Sequence, residues 1–175
     1  MSFFATVMTI NYAYHETDMS PFKLPKMSSS EIDELVSKQN MCRIAFNGDD
    51  YPYLAPFRYV RIGGTLYFHF TDYGKKMRLI EQDDRACVQI ETYQPDLSQY
   101  NFISYRGHLK KVEDDKEREK AIILFRETGK NSISQKFLAA HGFNPDDGWD
   151  VFKGDDLVIL KLVDIVEKVG LKSPD

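Results

Sequence analysis

Leu54 to Lys76 reads LAPFRYVRIGGTLYFHFTDYGKK, and the rest of the chain can be arranged around it. Leu54 to Ile62 is an extended run. Gly63-Gly64 is a two-residue turn of the kind that needs positive φ at both positions and therefore joins paired strands. Thr65 to Thr71 returns as a second extended run. Gly74 then opens a short helix, KKMRLIEQ, with Met77, Leu79 and Ile80 on its apolar side. Pro52 and Pro56 have no N–H to give a ladder, so they belong at an edge or bulge, where neighbouring backbone groups are left open to a ligand.

On the N-terminal side, Ser28-Ser29-Ser30-Glu31 is a capping box, and Ile32, Leu35 and Val36 continue it as a short amphipathic helix. Met41 to Phe46 alternates Cys42, Ile44 and Phe46 against Arg43 and Ala45, the period of a strand. Asn47-Gly48-Asp49-Asp50 signals a hairpin. On the C-terminal side, Arg85 to Tyr93 alternates Ala86, Val88 and Ile90 against Cys87, Gln89 and Glu91. Asn101 to Val112 is a further strand with Gly107 as a bend or bulge. Asp114 and Asp115 start a helix over 116–128 that Gly129 stops. Residues 131–140 read as one more helix, 143–154 as loop, and 157–169 as a final strand. About six strands with two or three helices and short turns predict a mainly β protein, an antiparallel β-barrel with flanking helices, because closure removes exposed strand edges. Residues 1–27 read as an N-terminal arm and 28–175 as a single domain.

The 175 residues suit one domain, and 42% hydrophobic with 13% aromatic residues supply a core. A net charge of −4 argues against nucleic acid as a partner, so any anion site is local. Cys42 and Cys87 lie in apolar strands and read as buried free thiols in a reducing, cytoplasmic setting. No Cys/His spacing suits a metal, and the apolar patches of residues 1–14 are too short and polar to cross a membrane.

Gly74-Lys75-Lys76 combines free N–H groups at a helix start with two cations, an anion-binding pattern that is also common on solvated surfaces. It is not a Walker loop, because the upstream glycine and the following Ser/Thr are absent. Arg58, between Phe57 and Tyr59, points either into a wet cleft or to an exposed face. His69, between Phe68 and Phe70, is either a satisfied structural residue or, if its face borders a ligand, a proton donor. His15, His108 and His141 have weaker contexts. Ser104 and Tyr105 offer hydroxyls to a phosphate or ring edge, or pack as ordinary strand residues. Trp149 either stacks on a flat ligand or covers a barrel end.

The runs PYLAPFRYV, LYFHF followed by GKK, and SYRGHLKKVED together resemble the pyridoxamine 5′-phosphate oxidase-like flavoproteins. The similarity spans roughly residues 28–121 and looks closest to the nitroimidazole-resistance (Nim-type) branch. It implies a split β-barrel of antiparallel Greek-key type, a homodimer, and FMN in clefts at the subunit interface. By position, Pro56, Phe57, Arg58 and Tyr59 would edge the flavin ring and His69 and Phe70 would continue that wall. Lys75 and Lys76 would hold the phosphate, Ser104 would approach the cofactor from a later strand, and His69 would serve the substrate. The activity implied is reduction of a small, flat, electron-poor substrate, with NAD(P)H as electron source. The alternatives are a non-catalytic flavin-binding or electron-transfer module, or a split barrel using F420 or haem. Pyridoxamine-phosphate oxidation itself is not expected, because the arginine and histidine motif of that enzyme is missing near the C-terminus. Phe70 and Tyr73 are bulkier than the small residues common after the branch's histidine, and residues 137–152 have no counterpart.

Overall fold

A computed structural model describes residues 23–134, 136–140, 144–151 and 157–174. Six strands, β1 (Met41–Phe46), β2 (Tyr53–Ile62), β3 (Thr65–Thr71), β4 (Arg85–Tyr93), β5 (Tyr100–Lys111) and β6 (Leu157–Lys172), form a closed antiparallel barrel in the order β1-β2-β3-β6-β5-β4. The first three strands meander. The helix α2 (Lys75–Gln82) then carries the chain to β4 on the far side of β1, and β6 closes the barrel between β5 and β3. The predicted hairpin turn pairs Ile62 with Thr65, with Gly63 and Gly64 at φ 58° and 92°. Most of the arm, residues 1–22, lies outside the described residues, as do His15 and His141. Its last residues join the barrel, since Lys26 bridges Leu171 and the Met27 N–H donates to the Gly170 carbonyl at 2.9 Å.

Alternation decides what faces inward. Cys42, Ile44, Phe46, Ala55, Phe57, Tyr59, Phe68, Phe70, Val88, Ile90 and Ile103 fill the barrel with α1 (Ser29–Lys38) packed beside them. A second apolar layer lies outside it, where Val60, Tyr67 and Ile159 meet Ala121, Ile122 and Phe125 of α3 (Asp115–Ser132). This layer is why β2 and β3 are apolar on both faces, and why their strict alternation fades in the sequence. Burial pushes the Cys42 thiol up to about 12, while Cys87 is only half-buried, so the expectation of two buried thiols holds for the first alone.

Gly107 is at a bulge, where the β5–β6 register shifts between Arg106 and His108, and a Cβ there would come within 2.6 Å of the Val163 carbonyl oxygen. Gly129 does not stop α3, which runs through it to Ser132. A Cβ at Gly129 would lie 2.4 Å from the Trp149 ring, so the glycine serves packing rather than termination. A short helix, α4 (Lys136–Ala140), and a 3-10 segment (Pro145–Val151) replace the single helix and the loop read from the sequence.

Candidate functional site

The barrel is split at one place. β2 pairs with β1 through Tyr53–Arg58 but with β3 only from Tyr59 to Ile62. Beyond Phe68, β3 leaves β2 and pairs with β6 through Thr71. The β2 edge carrying Pro56 and Phe57 therefore has no strand beside it, and the missing Pro56 N–H breaks no ladder on that side. A cleft of about 210 Å³ opens at the split, lined by Met41, Pro56, Phe57, Arg58, His69, Phe70, Thr71, Lys76 and Phe137.

The start of α2 reaches this cleft through Lys76. Gly74 caps it at φ 93° with no side-chain hydrogen bond, so the first N–H groups of the helix are left uncapped by any side chain. Positive φ is the reason for glycine at this position. Lys75 and Lys76 fold over the aromatic rings of β2: Lys75 Nζ lies 4.7 Å from the Tyr53 ring centroid and Lys76 Nζ 5.2 Å from that of Phe57. Neither lysine has a carboxylate within ion-pair distance among the described residues.

Arg58 fits neither alternative read from the sequence. Only 2% of it is exposed, on the outer face of β2 under α3. Its Nη2 donates to Thr128 Oγ1, and the Thr128 hydroxyl donates onward to the Leu124 carbonyl at 2.6 Å. The guanidinium packs against two rings, 5.4 Å from the Phe125 centroid and 5.1 Å from that of Trp149. Burial pulls its pKa down to about 10, so it remains a cation at neutral pH. Its Nε and Nη1 are buried without hydrogen-bond partners among the described residues. Trp149, 4% exposed, thus covers the outer wall of the barrel at Arg58 rather than an end.

The other predicted residues divide by face. His69 is half-buried, faces outward beside Arg58 and meets the Phe125 ring edge-on at 5.3 Å. Phe57 and Phe70 point into the barrel and stack on each other at 4.5 Å. The Tyr59 hydroxyl donates to the Val36 carbonyl at 2.7 Å inside the core. Phe57 and Phe70 line the cleft although their side chains turn into the barrel, and Tyr59 does not line it. Ser104 lies elsewhere on the chain, on the outer face of β5, 3.2 Å from Cys87 Sγ, where it pairs with Gln89 of β4. Phe137 was missed. Only its place near the fading of the family likeness pointed to it.

Four other hollows among the described residues are larger, and the two largest are less suited to an anion. One of about 380 Å³ on the β1–β4–β5 face is lined by Arg85, Arg106 and His108, and each has an acidic partner: Asp83 at 2.6 Å, Glu167 at 3.3 Å and Asp84 at 2.6 Å. Another of about 650 Å³ lies between α1, the β2–β3 turn and α3. The cleft at the split combines a helix start with cations that have no carboxylate partner among the described residues, and this decides the choice.

Known structures repeat this architecture. A FAD-binding protein from Mesorhizobium loti superposes with a TM-score of 0.59 at 17% identity, covering 87% of this chain and 98% of its own. A candidate 5-nitroimidazole antibiotic resistance protein from Bacteroides thetaiotaomicron gives 0.60 at 16%, covering 87% and 92%. A heme-binding protein from Mycobacterium smegmatis gives 0.53 at 16%, covering 73% of this chain and 47% of its own. At such identities the likeness is one of fold. No curated protein matches the chain. The family model described as pyridoxamine 5′-phosphate oxidase matches residues 28–139, which run from the cap of α1 through the split and into α4, and the chain belongs to that family.

Proposed function

We propose that this protein binds FMN in the cleft at the barrel split and uses it to reduce a small, flat, electron-poor substrate such as a nitro compound. The observation that carries the reading is the convergence, at one break in the β2–β3 ladder, of an uncapped helix start, Lys76 and His69. FMN has a phosphate for the first and second of these and a flat ring with polar edges for the open β2 backbone. The fit is chemical: cations without carboxylate partners for a dianion, and open peptide groups for ring N–H and C=O. When bound, FMN supplies the hydride chemistry. The chain's own residues bind and orient it: Lys75 and Lys76 hold the phosphate, the edge at Pro56 and Phe57 aligns the ring, and the buried cation of Arg58 adds positive potential beside it. His69 is the proton donor to substrate.

A cleft of about 210 Å³ is smaller than the roughly 300 Å³ at which small-molecule pockets begin, so a flavin would project from a single chain. A second copy of the chain completes the site in this reading, and Ser104, remote from the cleft on its own chain, belongs to that shared wall. Reduced nicotinamide is the electron source, and the setting is cytoplasmic. Among the described residues no helix is long and apolar enough to cross a membrane.

Turnover tests the reading against the non-catalytic alternative. Under anaerobic conditions, NADH or NADPH should bleach the flavin of the FMN-loaded protein, and a nitroaromatic such as 4-nitrobenzoate should restore its colour. A flavin that is bound but neither bleached nor restored would make the protein a flavin carrier.

A further inference from the structure

Five groups form one chain of ring and cation contacts that starts and ends on the cleft. Phe137 lines the cleft and lies nearly parallel to Trp149, with centroids 6.0 Å apart and planes 17° apart. The Arg58 guanidinium lies over the Trp149 ring and over the Phe125 ring. Phe125 in turn meets His69, which lines the same cleft. These groups come from α4, the 3-10 segment, β2, α3 and β3, five separate elements.

Arg58 accounts for the rigidity of these contacts. A buried cation needs compensation, and among the described residues no carboxylate supplies it. The two ring faces do, and a desolvated cation–π contact is at the strong end of its range. Thr128 fixes the guanidinium on α3, and Gly129, one residue on, leaves the space in which Trp149 lies. Trp149 is therefore held from two sides, and Phe137 rests on it. Trp149 lies beyond residues 28–139, the range matched by the family model, while Arg58, Phe125 and Phe137 lie within it.

We propose that Phe137 is the specificity-determining residue that faces the ring of the substrate, selecting flat aromatic acceptors over saturated ones, and that Arg58 is its positioning residue, acting through Trp149. The inference rests on the proposed function, with the substrate entering the cleft beside the FMN ring. With one face toward Trp149, Phe137 gives part of its remaining surface to the cleft, where a flat ring can stack and a puckered one cannot.

The test uses the full chain loaded with FMN and no reductant, so that ligands bind without turnover. 4-Nitrobenzoate and cyclohexanecarboxylate, equal in charge and different in planarity, are titrated while following the flavin absorbance and the emission of the single tryptophan, Trp149. The wild type should prefer 4-nitrobenzoate. Phe137→Ala should weaken that ligand by about fivefold or more and leave cyclohexanecarboxylate within about twofold, and Phe137→Tyr should restore the preference. Arg58→Met should shift Trp149 emission and weaken 4-nitrobenzoate in the same sense, with Arg58→Lys carrying the test if the methionine variant does not fold. Equal affinity of the wild type for both ligands, an unchanged preference in Phe137→Ala, or unchanged Trp149 emission and affinity in the Arg58 variants would overturn the proposal. Should the chain bind no FMN, the proposed function fails by itself, and quenching of Trp149 by 4-nitrobenzoate still reads Phe137.

Discussion

Arg58 carries a full charge to a place where 2% of its surface meets solvent, and the alternation of the strand explains how. Phe57 and Tyr59 take the interior, so Arg58 must face out, and α3 lies over that face. The same alternation, applied strictly, would have put the Phe57, Tyr59 and Phe70 side chains in the core from the sequence alone. The cover over Arg58 was not readable, because Thr128 is 70 residues away along the chain. Lys76 was readable as a cation after a glycine, though not as one that lies across an aromatic ring at the barrel mouth. If it grips the flavin phosphate, Lys76→Ala should weaken FMN binding by about 1–3 kcal/mol in a fluorescence titration, the worth of a charge-assisted hydrogen bond. Unchanged affinity would return the residue to the surface-charge reading.

Among the elements, the capping box of α1, the alternation of β1 and β4 and the eight residues of α2 stand where local patterns put them. Each is specified by neighbours within a turn or two, which is why sequence suffices. α3 is different. Gly129 looks like a stop signal, yet the backbone stays helical because the open space above it is occupied by Trp149 from a later segment. Helix propensity favours alanine over glycine at such a position by about 1 kcal/mol. The ring contact reverses the sign: Gly129→Ala should lower unfolding free energy by about 1–3 kcal/mol through overpacking, measured by denaturant titration. A stabilised variant would mean that Trp149 does not lie on α3.

The whole molecule is a barrel whose strands agree to close everywhere except beside Pro56. That break lies where β3 turns from β2 toward β6, and it is where a polar helix start and apolar strand edges can share one ligand. Barrel closure was legible because six strands with short turns leave few other ways to hide their edges. The outer layer of α3, α4 and the 3-10 segment was not, because it depends on contacts between β2 and residues 125–149 that no local pattern encodes. The central claim is that the break holds a flavin. Its most direct measurement is the visible spectrum of the purified full chain, before and after incubation with FMN and removal of the excess. The expected result is the two-band absorption of an oxidised flavin retained by the protein. A single haem-type Soret band, or a colourless protein that retains no added FMN, would contradict it.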